Sequence, residues 1–199
     1  LRRADGILMP SLRKYSSLYA NTNKILDLKM GIFNKIFGNN KASSESKPDI
    51  DSLIKSDDTD KLLMDLDTYI SELCNYGNSI DKLTDPQKNF YFNQCLEREI
   101  NNGGFDQFFH NSSGAFSQET ILSLKELGAF RTALILEKAV SQFPNSIVPK
   151  DQTERQNSME LVEETACDVW NELDTNFYEY EDNLSALNIE YVKKNRSFF

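Results

Sequence analysis

From residue 49 onward the apolar positions recur every three to four residues, and alternation of apolar with polar residues is almost absent. That period belongs to helices, so the chain is predicted to be all-α, a compact bundle of about five to six helices behind a flexible N-terminal extension. Leu62, Leu66, Tyr69, Ile70 and Leu73 line one face of a first helix, which should end over residues 75–78, where Gly77 can take the left-handed conformation. Thr84 and Gln87 bracket Asp85-Pro86 at capping-box spacing, so a second helix should start there, run to about Ile100 and stop at Asn101-Asn102-Gly103-Gly104. Ser117 is the expected cap of a third helix whose Ile121, Leu122, Leu124 and Leu127 are apolar, and Gly128 separates it from a fourth over residues 130–142, closed by Phe143-Pro144. Asp151 with Glu154 offers another capping box. Behind it Met159, Val162, Ala166, Val169, Trp170, Leu173 and Phe177 sustain an apolar stripe through the longest helix. Residues 184–192 are expected to form a short sixth helix.

The N-terminal quarter reads differently. Residues 39–48 are polar and rich in Ser, Lys and Asn, with Pro48 at their end, which is the composition of a flexible connector. The predicted division is therefore a basic, disordered leader and linker over residues 1–48 and an acidic helical domain over residues 49–199. Met30 opens MGIFNKIFGNN, which reads like a bacterial protein start, so residues 1–29 are expected to be upstream sequence. The alternative for residues 12–37 is a basic amphipathic helix that touches a membrane.

Charge sharpens this division. Residues 1–41 hold eight Lys/Arg against two Asp/Glu, a net of +6, whereas residues 42–199 hold 14 against 29, a net of −15. The overall −9 thus understates how acidic the folded part is. Such a surface repels nucleic acid and attracts basic proteins. Cys74, Cys95 and Cys167 are odd in number and widely spaced, which suggests neither a disulfide framework nor a metal knuckle and fits a reducing compartment. No stretch reaches the roughly 18–20 apolar residues needed to span a bilayer, and no secretory signal opens the sequence, so a cytoplasmic protein is expected.

Candidate chemistry is sparse. His110, the single histidine, stands four residues after Asp106; without a second His at four-residue spacing or a Cys pair, no metal or other cofactor is expected. A hydrogen-bonded structural histidine is the favoured reading over a base or ligand. Ser112-Ser113-Gly114 lacks the strand that precedes a nucleophile elbow, and Gly103-Gly104 is too short to cradle phosphate. Nothing singles out Glu97 with Glu99, or Glu163 with Glu164, as an acid/base pair among so many carboxylates. The chain is expected not to be an enzyme.

One arrangement is more specific. Glu160, Glu164, Asp168 and Glu172 recur at intervals of four, and each step rises about 6 Å and drifts about 40° around a helix, so they form a gently spiralling row off the apolar stripe. Residues 151–190 contain twelve acids and one base, Arg155, so the usual Glu–Lys pairing is missing. Three like-charge contacts at that spacing cost about 1 kcal/mol. The row is either a solvated face tolerated because of strong apolar packing or a surface kept for a basic partner. Its candidate members are Glu160, Glu163, Glu164, Asp168, Glu172, Asp174, Glu179, Glu181 and Asp182.

The string Asn101-Asn102-Gly103-Gly104-Phe105-Asp106-Gln107-Phe108-Phe109-His110-Asn111-Ser112-Ser113-Gly114, followed by Leu127-Gly128-Ala129, resembles the signature of the DNA mimic protein 19 family. With the flanking helices the resemblance covers about residues 55–180 and leaves out residues 1–50. It implies a compact, mostly helical bacterial domain. For the best-known kind of member it implies an acidic surface that imitates double-stranded DNA and occupies a transcription factor's DNA-binding face. Within the string, Asn102, Gly103, Gly104, Phe105, Gln107, Phe108, Phe109, Asn111 and Gly114 read mainly as architecture: the glycines permit a sharp turn, the three phenylalanines form a wedge between helices, and Gln107 and Asn111 satisfy backbone groups at the turn. The leading functional expectation is a basic DNA-binding protein as partner, with no direct nucleic-acid or membrane binding. The alternatives are an interaction module that uses the aromatic loop over residues 105–110 and, more distantly, a hydrolase around His110 and Asp106. The oligomeric state is open, a dimer being one option.

Overall fold

A computed structural model describes residues 47–55 and 58–199. The upstream leader, the membrane-touching helix and nearly all of the linker therefore lie outside the described residues. Among those described there are seven α-helices and no strand: α1 (Ile50–Lys55), α2 (Thr59–Leu73), α3 (Asp85–His110), α4 (Ser117–Leu127), α5 (Phe130–Val140), α6 (Gln152–Tyr178) and α7 (Leu184–Lys194). The chain is an all-α bundle.

Local chemistry explains most boundaries. Thr84 N–H donates to Gln87 Oε1 at 2.9 Å in the capping box that opens α3, whereas at the start of α6 Glu154 N–H donates to Asp151 Oδ1 at 2.9 Å, so Asp151 is the N-cap without the return bond from Glu154 that a box requires. Gly128 follows α4 with φ of +89°, the left-handed conformation that ends helices, whereas α2 is closed by Asn75 and Tyr76 at φ +49° and +52°, with the Tyr76 N–H donating to Ser71 O at 2.7 Å, and Gly77 lies beyond that turn rather than capping the helix. Two more expectations fail. Ser117 does not cap α4 but is its first residue, with its hydroxyl donating to Gly114 O at 2.6 Å; a short 3-10 turn, Ser112–Phe116, runs straight into the helix and takes the place of a cap. The second helix does not stop at residues 101–104 either: α3 kinks at Gly103 and Gly104 and continues to His110.

Helix α3 lies at the centre, packed against α2, α4, α6 and α7. Its Phe90, Leu96, Ile100, Phe105, Phe108 and Phe109 are fully buried, and each such side chain contributes about 1.5–3 kcal/mol on burial. Phe109 is the hub of an aromatic cluster, with ring centroids 4.8 Å from Phe143, 5.2 Å from Phe108 and 5.2 Å from Trp170. From α6, Met159, Ala166, Trp170, Leu173 and Phe177 are buried, with Val162 and Val169 packed at the edge, and the Trp170 indole N–H donates to Ala139 O at 3.1 Å.

Candidate partner-binding surface

The kink in α3 positions everything around it. Gly104 has φ of +73°, and a Cβ there would overlap the Asp174 carboxylate, so both backbone conformation and close approach demand glycine. A kink strips backbone groups of their helical partners, and α6 replaces them. Asp174 Oδ1 accepts the Phe105 N–H at 2.8 Å, and the Tyr178 hydroxyl donates to Ile100 O at 2.8 Å. Partial burial pushes the Asp174 carboxyl up to about 6, opposed by the Phe105 N–H and reinforced by Asp106.

The remaining motif residues are internal for the most part. Gln107 and Asn111 do not satisfy backbone groups, as the sequence suggests; both side-chain amides instead donate to Glu99 Oε2, at 2.7 and 2.8 Å, tying the two halves of the kinked helix together. The fully buried Phe105, Phe108 and Phe109 present no aromatic surface, which removes the reading of residues 105–110 as an exposed interaction loop. Asn102 is exposed. His110 is exposed too; its ring Nε2 lies 3.3 Å from Gln156 Nε2, and its carbonyl accepts from Gln152 and Gln156 at the seam between α3 and α6.

Arg155 is the residue whose role the sequence conceals. It is 0% exposed and donates only to carbonyls: Nε to Phe109 O at 2.6 Å, Nη2 to Asn111 O at 2.8 Å, and Nη1 to Pro149 O and Lys150 O at 2.9 and 3.0 Å. The last carbonyls of a helix lack partners and carry negative partial charge, so a guanidinium is a suitable cap for the end of α3. A Cβ on Gly114 would come within 2.7 Å of Phe109 O and 2.9 Å of Arg155 Nε, so the final motif glycine makes room for this cap.

The placement of Arg155 decides the electrostatics of the outer face. The one base of residues 151–190 is buried on carbonyls and forms no ion pair with the carboxylates of the outer row. Glu160, Glu163, Glu164, Asp168 and Glu172 are all exposed on α6, and among the described residues no hydrogen bond or ion pair takes any of them. Glu179, at the end of α6, is likewise exposed and, among the described residues, unpaired. The other three candidates have partners within the protein. Asp174 serves the kink. Glu181 pairs with Arg131 at 3.3 Å, and Asp182 Oδ2 accepts the Thr132 N–H at 2.8 Å and its hydroxyl at 3.1 Å, capping the start of α5 from outside.

The kink, its buried phenylalanines and the Arg155 cap all fall within a segment shared with a known family. A family model described as DMP19-like protein matches residues 81–195. The chain belongs to the DMP19-like family. The matched segment runs from just before α3 through the end of α7, so the DMP19-like part contains the kink, the aromatic hub, the Arg155 cap and the carboxylate row together. No curated protein and no solved structure matches the chain. No helix among the described residues is long and apolar enough to cross a membrane.

Proposed function

We propose that this DMP19-like chain is a non-catalytic binding protein that uses the outer row of α6 to occupy the nucleic-acid-binding surface of a basic protein, its carboxylates standing where phosphates would. One observation carries this reading: five exposed carboxylates on one helix have no cation of their own, because the single base in that stretch is committed to the interior. An unneutralised row costs self-repulsion, and a cationic surface would reverse the sign of that cost. The family resemblance supports the same reading, since its best-known kind of member imitates double-stranded DNA. The burial of Phe105, Phe108 and Phe109 weighs against the aromatic-loop alternative. A protein of this kind binds neither nucleic acid nor membrane and needs no cofactor.

The decisive experiment is to isolate partners from the source cells, purify the tightest one and measure its association with the chain across a salt series. Association that slows steeply as ionic strength rises, together with displacement of the partner's nucleic acid, is the expected result. Salt-independent binding, or a partner without a basic surface, would refute the reading.

A further inference from the structure

Helix α3 meets α6 and α7 in different ways. Toward α6 it offers phenylalanines, with the Phe109 ring 5.2 Å from Trp170. Toward α7 it offers amides: Gln87 Nε2 donates to Phe198 O at 2.8 Å, and Asn89 Nδ2 donates to the Tyr191 hydroxyl at 2.9 Å. Four residues further along α3 and three residues back along α7 lie on the same two faces, so this register puts Asn93 level with Asn188. Both are fully buried, and among the described residues no hydrogen bond reaches either side-chain amide. Amides that solvent satisfies in an open state and nothing satisfies in the closed one favour opening.

The other attachments of residues 183–199 are mostly apolar. Leu184, Ile189, Val192 and Phe199 are buried, the last with its ring centroid 5.8 Å from Phe90. Arg196 pairs with Asp51 at 3.7 Å, but both side chains are exposed, and such a pair contributes little. Helix α7 has 11 residues, fewer than the roughly 12–15 below which an isolated helix is marginal in water. Once off the domain it therefore melts, so the segment is either docked and helical or released and unfolded. The point at which it parts from the domain is fixed as well. Asp182 accepts the Thr132 N–H and hydroxyl and so stays tied to the start of α5, while Tyr180 just before it takes a φ of +49°, unfavourable for a bulky side chain.

We propose that residues 183–199 are a strap that undocks as a unit beyond the Asp182 anchor while α2 to α6 stay folded, and that the unpaired amides of Asn93 and Asn188 set the ease of that opening. Opening uncovers Phe90 and the amides of Gln87 and Asn89 and removes no residue of the carboxylate row. The strap thus goes beyond the reading of α6 as a partner surface and does not depend on it.

Native-state hydrogen exchange of the full chain, followed by mass spectrometry through a series of low denaturant concentrations, tests this. Peptides covering α7 should exchange at least about a hundredfold faster than those covering α3 and α6, and with a weaker dependence on denaturant, because a local opening exposes little surface. Replacing both amides, Asn93→Leu with Asn188→Leu, should slow exchange in α7 at least about tenfold, and either change alone should slow it less, because one amide is then still unpaired. Equal rates and equal denaturant slopes in α7, α3 and α6 overturn the strap, and that measurement on the parent chain needs no variant. A double variant in which α7 exchanges as fast as before or faster, or which no longer folds, overturns the role given to the two amides.

Discussion

Two sets of acidic side chains lie within reach of α6, and they behave in opposite ways. Around the kink in α3 three carboxylates accept hydrogen bonds from the protein itself. Glu99 receives two amides, Asp174 receives the Phe105 N–H, and Glu97 accepts the Tyr180 hydroxyl at 3.1 Å and is raised above the usual carboxylate range by burial. On the outer row Glu160, Glu163, Glu164, Asp168 and Glu172 accept none among the described residues. The residue types are the same, and what differs is the surroundings. The kink leaves donors in a partly dry place, where an unanswered N–H costs about 1–3 kcal/mol. The outer row faces water, which satisfies a carboxylate without any help from the protein. Acidic side chains inside this fold are therefore explained by stability, and those outside are free to be explained by binding.

The comparison breaks hardest at Arg155. Replacing it with Met should cost about 3 kcal/mol or more, because the carbonyls of Phe109, Asn111, Pro149 and Lys150 lose their donor in a closed space. Arg155→Lys should recover little of this, since one ammonium cannot reach both groups of carbonyls at once. Denaturant unfolding of the three proteins checks it; a fully stable Met variant would mean that water replaces the guanidinium.

Next in size is Gly104→Val. A β-branched side chain is strained at that positive φ and collides with Asp174, so a loss of about 2 kcal/mol is expected, read as a lowered thermal midpoint. An unchanged midpoint would show that the kink can straighten at no cost.

The outer row should give the reverse result. Changing Glu160, Glu164, Asp168 and Glu172 together to Lys moves residues 42–199 from −15 to −7, yet stability should stay within about 1 kcal/mol, because the four side chains are exposed and lie off the buried stripe. Association with a basic partner should slow by about tenfold or more, with the Gln variants intermediate. Stopped-flow or surface-binding kinetics at low salt decide the matter, and unchanged association would remove this row from the binding surface.

The smallest effect concerns Asp174. In the fold its proton is held up to about 6, whereas in the unfolded chain a carboxyl releases it near about 3.9. Between those values the folded state binds more protons than the unfolded one, so this group's contribution to stability is fully present below that window and is lost as pH rises through it. Asp174→Asn keeps the oxygen that accepts the Phe105 N–H and removes the charge. Its melting temperature relative to the parent should therefore climb by a few degrees between about pH 4 and pH 7. A constant difference across that range would show that the carboxylate is not coupled to folding.

The sequence by itself determined the helical period, the capping box that opens α3, the Asp151 cap of α6, the glycine end of α4, the buried stripe of α6 and the row of acids opposite it. All of these depend on residues within a few positions of one another, where spacing and geometry are equivalent. It also carried the family, because the string around Gly103-Gly104 packs many constraints into fourteen residues. What only the tertiary structure decided were the pairings across longer separations: Asp174 with the amide of Phe105, Asp182 with the start of α5, Gln107 and Asn111 with Glu99, and above all Arg155 with the carbonyls that end α3. In the sequence Arg155 looks like the one cation able to soften the acidic stretch, and Asp174 looks like one more member of the row. A charge's role depends on whether it meets water or an unsatisfied backbone group, and that is settled only when helices far apart in the chain come to share an interior.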